Sequence, residues 1–570
     1  MRQRTLHALI PLLFFAPSAL FASPSGKIDE MMRKLSIQEK VGQLFVIAAD
    51  TDIAAQDKPF IQSGKVGAVL LRWHKFTGEQ AENFSRQMRS WTDLAPSRVP
   101  LLIAADYESG PLFTEPLYGA TLFPSNMALG AAGSPALAEK AAYINGRELR
   151  ALGIQVDFAP VVDVNSNPQN PVIGIRSFGE DPAAVARLGA AAVRGYLKAG
   201  IIPVAKHFPG HGDTKTDSHK QLPVIDRPLA AWEKMDLPPF KAAIAAGVPA
   251  IMSAHIVMTA LDPDFPATLS RAVLGGVLRR KLGFQGVIVT DSLDMGAIAN
   301  TYTIPKAALR AFLAGCDLLL IGKKNLPESY AAVLAAVRDG RISQKRLDES
   351  VRRILELKQR AGLFGGPLSN PRSWESVGAP ASRQLAETIA EKSITLLRNH
   401  GSLLPLKLSK SATLAVLINR ADRFAPDVDT FGRALARHHR RTKLFQFLPW
   451  PRAKDSEGLV QQAAHADAII FGAYKDGSLN NKRQVELYDR LRALKKPIIV
   501  VSLMGPYDLK DFPGAAAQIC IYGITPASMK ALAKVLFGAA VPGGRLPVNI
   551  PGVFKLGSGL AGFKPRAAAP

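Results

Sequence analysis

The densest concentration of reactive side chains lies at residues 206–223, KHFPGHGDTKTDSHKQLP. His207, His211 and His219 crowd there with Lys206, Asp213 and Asp217 around Gly210 and Gly212. Pro209 and the two glycines break any helix, so the stretch reads as a loop. The apolar run 201–205 reads as a buried strand that delivers Lys206 and His207 at its carboxyl end. Asp217 and His219, two residues apart, suit a carboxylate that holds an imidazole in one tautomer and raises its basicity. Asp291 is a further candidate, because it follows the apolar residues 287–290. A carboxylate placed there is costly to desolvate unless it is paired or employed. A nucleophile and a proton donor flanking a sugar bond suffice for retaining glycoside hydrolysis. Asp291 could serve as the first and the Asp217–His219 pair as the second.

Such groups need strands to hold them. Apolar or β-branched runs occur at 41–48, 65–72, 101–106, 154–160, 202–207, 249–255, 286–291 and 317–322. Amphipathic stretches with helical periodicity, such as 135–152, 183–199 and 229–246, lie between them. Eight such units predict an α/β fold of the (β/α)8 TIM-like barrel type, with an open doubly wound sheet as the competing arrangement. The polar residues decide between them. Asp106, Lys206 with His207, His255 and Asp291 all close strand runs, and barrel enzymes gather their chemistry at strand carboxyl ends. The barrel is expected over 23–361, ending in a helix at 345–361, and 362–381 reads as a linker rich in Gly, Pro and Ser. Residues 382–570 predict a smaller α/β sandwich with a mostly parallel sheet, from the runs 413–418, 468–473, 497–503 and 518–521. No nucleophile elbow or phosphate loop occurs in it, so its expected role is packing and stability, with shaping the mouth of the barrel or binding polymer as the alternative.

Bulk composition narrows the function classes. A chain of 570 residues with 47% hydrophobic and 21% charged residues is a globular protein of more than one domain. Arg2 and Arg4 precede the apolar stretch 8–21, which is short for a membrane span and suits a signal peptide over 1–22. A periplasmic or secreted mature chain without a membrane span is the expectation. The net charge of +24 suits either an anionic polymer partner or a surface of solvated Lys and Arg. Local concentrations such as Arg437, His438, His439, Arg440, Arg441 and Lys443 are few. Neither zinc spacing nor interleaved aromatics point to nucleic acid. Cys316 and Cys520 sit in separate apolar runs and read as buried thiols rather than a disulfide or metal knuckle.

Residues 206–223 resemble the signature of the glycoside hydrolase family 3 β-N-acetylglucosaminidases, NagZ-like in a two-domain form. FAPVVDVN at 158–165, IGIRSFGEDP at 173–182 and KLGFQGVIVTDSLDM at 281–295 are similar to further blocks of that family. So are SITLLRN at 393–399 and PGGRLP at 542–547, and the likeness runs from about residue 30 to 550. The resemblance implies a retaining, exo-acting enzyme on terminal N-acetylglucosamine of peptidoglycan fragments or chito-oligosaccharides. In it Asp291 is the nucleophile, His219 the general acid/base and Asp217 its partner. Asp106, Arg176, Lys206 and His207 bind the sugar, with neither a metal nor an organic cofactor. An imidazole titrates near neutrality and can both give and take the proton. A neutral base also tolerates an anionic acceptor, which keeps a phosphorylase open, as are a family 3 glycosidase for another sugar and a non-catalytic wall-binding protein. Arg176 is alternatively a surface partner of Glu180 or Asp181, and His255 a hydrogen-bonded wall residue. The family's two arginines beyond Asp106 and Glu108 are missing from DYESGPLFT at 106–114.

Overall fold

The computed structural model describes residues 25–50, 53–72, 76–108, 119–365, 372–419, 428–475, 481–560 and 562–563. The stretch 1–22, which the sequence suggests as a signal peptide, and residues 109–114 of the altered segment lie outside the described residues. Eight parallel strands form the barrel: β1 (Phe45–Ala49), β2 (Ala68–Leu71), β3 (Leu102–Ala105), β4 (Val156–Asp157), β5 (Ile202–Phe208), β6 (Ala250–Ser253), β7 (Val287–Thr290) and β8 (Leu319–Leu320). Each pairs with its neighbour in sequence, and β1 also pairs with β8. Between β7 and β8 closure is lighter, a Val289–Leu318 bridge in which Thr290 N donates to Leu318 O at 3.0 Å. The longest strand, β5, is buried at all of its residues, as expected where helices cover a parallel sheet. Val46, Leu102, Val156, Val204 and Val287 meet inside the barrel below the strand ends. That interior is a packed core, and chemistry is confined to the rim.

Around the barrel, small residues let helices approach closely. Pro135–Ala151 packs on Pro182–Ala199, where a Cβ on Gly195 would come within 2.2 Å of Glu139 O. Two strand expectations shift. Ser36 and Glu39 form a reciprocal cap that starts the helix Ile37–Gly42, so the run at 41–48 becomes strand only from Phe45. In 154–160 only Val156–Asp157 is strand, since Pro160 has no N–H to give a ladder.

The second domain holds a six-stranded sheet: β9 (Thr395–Asn399), β10 (Leu414–Asn419), β11 (Thr442–Phe447), β12 (Ala468–Ala473), β13 (Ile498–Ser502) and β14 (Ala517–Cys520). Their order is β9-β14-β13-β12-β10-β11, and only β9 with β14 is antiparallel. β9 and β11 escape the apolar-run pattern. β11 is a half-exposed edge strand, and β9 ends in the polar, half-buried Arg398 and Asn399. The PGGRLP segment at 542–547 straps the domains together. Arg545 N donates to Ala131 O (2.9 Å) and Glu180 N to Pro547 O (3.0 Å).

Candidate active site

The rim of the barrel opens into a cavity of about 490 Å³. Asp106, Arg176, Lys206, His207, Asp217, His219 and Asp291 all line it. These seven candidates thus reach one space, although they come from four separate stretches of chain, around 106, 176, 206–219 and 291.

On its floor is a buried lattice of opposite charges. Lys206 Nζ lies 2.8 Å from Asp106 Oδ1 and 2.8 Å from Glu108 Oε1. Arg176 grips Glu108 in a fork, Nε to Oε2 at 2.8 Å and Nη2 to Oε1 at 2.6 Å. Burial raises the Glu108 pKa, but Arg176 and Lys206 outweigh it and hold the carboxyl far below the usual range. The same contacts hold both cations above their ordinary values against the effect of burial. Arg176 is therefore not the surface partner of Glu180 or Asp181. Glu180 instead accepts from Asn549 N at 2.8 Å, and the Gly174–Arg176 turn places the guanidinium inward.

Asp163 is the hub that the sequence reading passed over. Fully buried, it accepts from His207 Nδ1 (2.7 Å), His207 N (3.1 Å) and His211 N (2.7 Å). Burial raises its pKa, and these neighbours bring it below the ordinary value. Its position inside the apolar FAPVVDVN run carries the desolvation signal that singles out Asp291. His207 Nδ1–H donates to Asp163, and its Nε2 faces Arg176 Nη2 at 3.5 Å. His211 bridges Thr214 Oγ1 (3.0 Å) and Ser218 Oγ (2.9 Å), and burial lowers its pKa to about 4, leaving it neutral at pH 7. It is a brace within the loop.

Asp291 stands just past β7, its backbone N bonded to Ser253 O of β6 (3.2 Å) and its Oδ1 accepting from Ser292 N (2.7 Å). Burial raises its pKa, but His207, His255, the Ser292 N–H and Lys206 together hold it below the ordinary value. It is ionised at neutral pH. His255 is buried behind the cavity, bonded to Thr268 Oγ1 (2.8 Å) and Ser292 O (2.9 Å). Its Nε2–H must donate to the carbonyl, and burial lowers its pKa.

His219 differs from the other imidazoles in standing open, with 61% of its side chain exposed. Asp217 Oδ1 accepts from both His219 Nδ1 and His219 N at 2.9 Å. Burial raises the Asp217 pKa, but these His219 bonds lower it overall. With Nδ1–H committed to Asp217, Nε2 is left to exchange a proton. The second domain is more than packing. Lys475, Met504, Gly505, Tyr507 and Asp508, from loops after β12 and β13, line the same cavity. The Tyr507 hydroxyl accepts from Asn165 Nδ2 across the interface at 2.8 Å. No group of His, Cys, Asp or Glu fit to hold a metal occurs among the described residues. Nor is any helix among them long and apolar enough to cross a membrane.

A parallel barrel with an ionised carboxylate and an open imidazole at one mouth, capped by a second α/β domain, suits glycoside hydrolysis, and comparison with known proteins agrees that the chain is a glycoside hydrolase. The chain belongs to glycosyl hydrolase family 3: residues 36–357 match the family's N terminal domain and 394–557 its C-terminal domain. It is similar to beta-hexosaminidase A of Pseudoalteromonas piscicida, 33% identical over 85% of this chain and 89% of that one. The beta-N-acetylglucosaminidase/beta-glucosidase of Cellulomonas fimi is 32% identical over 94% and 97% of the two chains. The structure of a family 3 beta-N-acetylglucosaminidase from Paenibacillus sp. str. FPU-7 superposes with a TM-score of 0.84. It is 36% identical and covers 90% of this chain and 99% of that one.

Proposed function

We propose that the protein is an exported, retaining exo-β-N-acetylglucosaminidase acting on peptidoglycan fragments or chito-oligosaccharides. The observation that carries this reading is the pairing, on one cavity, of an ionised Asp291 with an imidazole whose Nδ1 is tied to Asp217. The names of the relatives in Pseudoalteromonas, Cellulomonas and Paenibacillus support the sugar. An Asp291 oxygen attacks the anomeric carbon while His219 Nε2–H protonates the departing oxygen. The neutral ring then takes a proton from water, which displaces the sugar from Asp291. Asp106, Arg176, Lys206 and His207 hold the terminal sugar, and Asp217 fixes the His219 tautomer. The apolar stretch at 8–21 supports export, to the periplasm or outside the cell.

The test is release of a chromophore from an aryl N-acetyl-β-glucosaminide. Asp291→Ala should abolish turnover, and a variant as fast as the parent sinks the assignment. Running the parent with phosphate and water as competing acceptors separates a hydrolase from a phosphorylase, and aryl glucosides and xylosides test the sugar.

A further inference from the structure

The segment that carries His219 is docked onto the turn that follows Asp291. Ala297 N donates to Ser218 O (3.1 Å), Gly296 N to His219 O (3.0 Å) and Asn300 Nδ2 to Lys220 O (2.8 Å). Three successive carbonyls are thus held by one short stretch of the β7 loop. This approach depends on residue 296 having no side chain. A Cβ there would lie 2.5 Å from Lys220 O and 2.8 Å from His219 O. Both are backbone atoms, so no rotamer change relieves the clash.

The His219 ring bonds to Asp217 alone among the described residues. Nothing else fixes the ring over the cavity, so its place is set by the backbone of 217–220. The near end of the loop is anchored independently. A Cβ on Gly212 would lie 1.7 Å from Val164 O, Arg227 Nη2 pairs with Asp213 Oδ2 (2.8 Å), and His211 is bonded to Ser218. The stretch 218–220 rests on the β7 loop, Ser218 being tied to His211 as well, and beyond it Val224–Ile225 pairs with Val257–Met258.

We infer that Gly296 and Asn300 are positioning residues that lock the proton-transferring imidazole to the element bearing the nucleophilic carboxylate, so that the two groups keep a fixed relation across the cavity. The inference rests on the reading of His219 as the acid/base. Displacing the loop removes proton transfer and leaves the Asp291 attack intact, and that separates it from general damage to the site.

The experiment measures kcat/KM for phenyl and 2,4-dinitrophenyl N-acetyl-β-glucosaminides with the full chain and with His219→Ala, Gly296→Ala and Asn300→Ala. This ratio reports formation of the glycosyl-enzyme, which needs an acid only when the leaving group is poor. A general acid contributes roughly 10²–10⁴-fold, so Gly296→Ala should lose about tenfold or more on the phenyl substrate. On the dinitrophenyl substrate it should stay within about twofold. Asn300→Ala, which removes one bond without a clash, should show the same selectivity at smaller size, and it keeps the inference testable if Gly296→Ala folds poorly. An equal loss on both substrates, or no loss in either variant, overturns the inference. If His219→Ala shows the leaving-group dependence and the other two do not, the anchor alone falls. If His219→Ala lacks it as well, the acid assignment falls and takes the anchor with it.

Discussion

Glu108 carries more of the site than its place outside the candidate list suggests. It is one carboxylate between two cations, and all three side chains are largely withdrawn from water. Removing one member of such a buried set leaves uncompensated charge, at a cost of about 3–5 kcal/mol. Glu108→Ala should therefore lower the midpoint of urea unfolding as well as raise KM, since Arg176 and Lys206 lose the group that orients them. The sign with pH follows from linkage. Its folded pKa lies below its unfolded value, so the stabilisation is complete above that unfolded value, about 4.3. It is lost as pH falls below it. Urea midpoints at pH 6 and pH 4 should differ more for the parent than for Glu108→Gln.

Lys358 presents the opposite case, at the foot of the barrel. It is fully buried on the helix Gln344–Arg360, with Gln43 Oε1 accepting from its ammonium and no carboxylate paired with it among the described residues. Burial lowers its pKa to about 7, whereas in the unfolded chain it titrates near 10.4. Between those values the unfolded state binds the extra proton, so stability rises with pH across that window. Lys358→Met should raise Tm at pH 7 and flatten its rise between pH 7 and 9 in scanning calorimetry.

At the scale of elements, what the sequence revealed depended on burial. β2, β3, β5, β6 and β7 are short runs buried at every residue, and such runs announce themselves without alternation. Polar residues closing them, Asp106, Lys206, His207 and Asp291, were legible for the same reason. Glu108 was not, because its importance comes from partners brought from other strands, and Asp163 carried the desolvation signal of its apolar run without any sign of its partners. Glu108 meets Arg176 and Lys206 only once β3, the Gly174–Arg176 turn and β5 stand side by side. The docking of 218–220 on 296–300 was equally hidden, being a backbone contact whose only trace in the sequence is a glycine.

Across the whole molecule, the interface was the least legible feature. Tyr507 and Asp508 sit in a loop of the second domain and look like ordinary turn residues until that loop is set over the barrel rim. Asp508 shows that the setting is not merely steric. It is buried with neither carboxylate oxygen hydrogen-bonded, and burial pushes its pKa up to about 8. The barrel alone would leave Asn165 Nδ2 without the Tyr507 hydroxyl and the strands' rim without one wall.

The dry packing beneath the rim also dictates how a polymer is consumed. With Val46, Leu102, Val156, Val204 and Val287 closing the barrel below, the cavity has no passage down through the barrel among the described residues. A freed monosaccharide has no rear door and must leave by the way it came, and the shortened chain must let go before it does. Threading of a glycan through the barrel is thereby excluded, and an enzyme that trims single terminal sugars as proposed above should degrade its substrate distributively. Early in digestion of a chito-oligosaccharide hexamer, chromatography should show pentamer accumulating ahead of shorter species, each length rising and falling in turn.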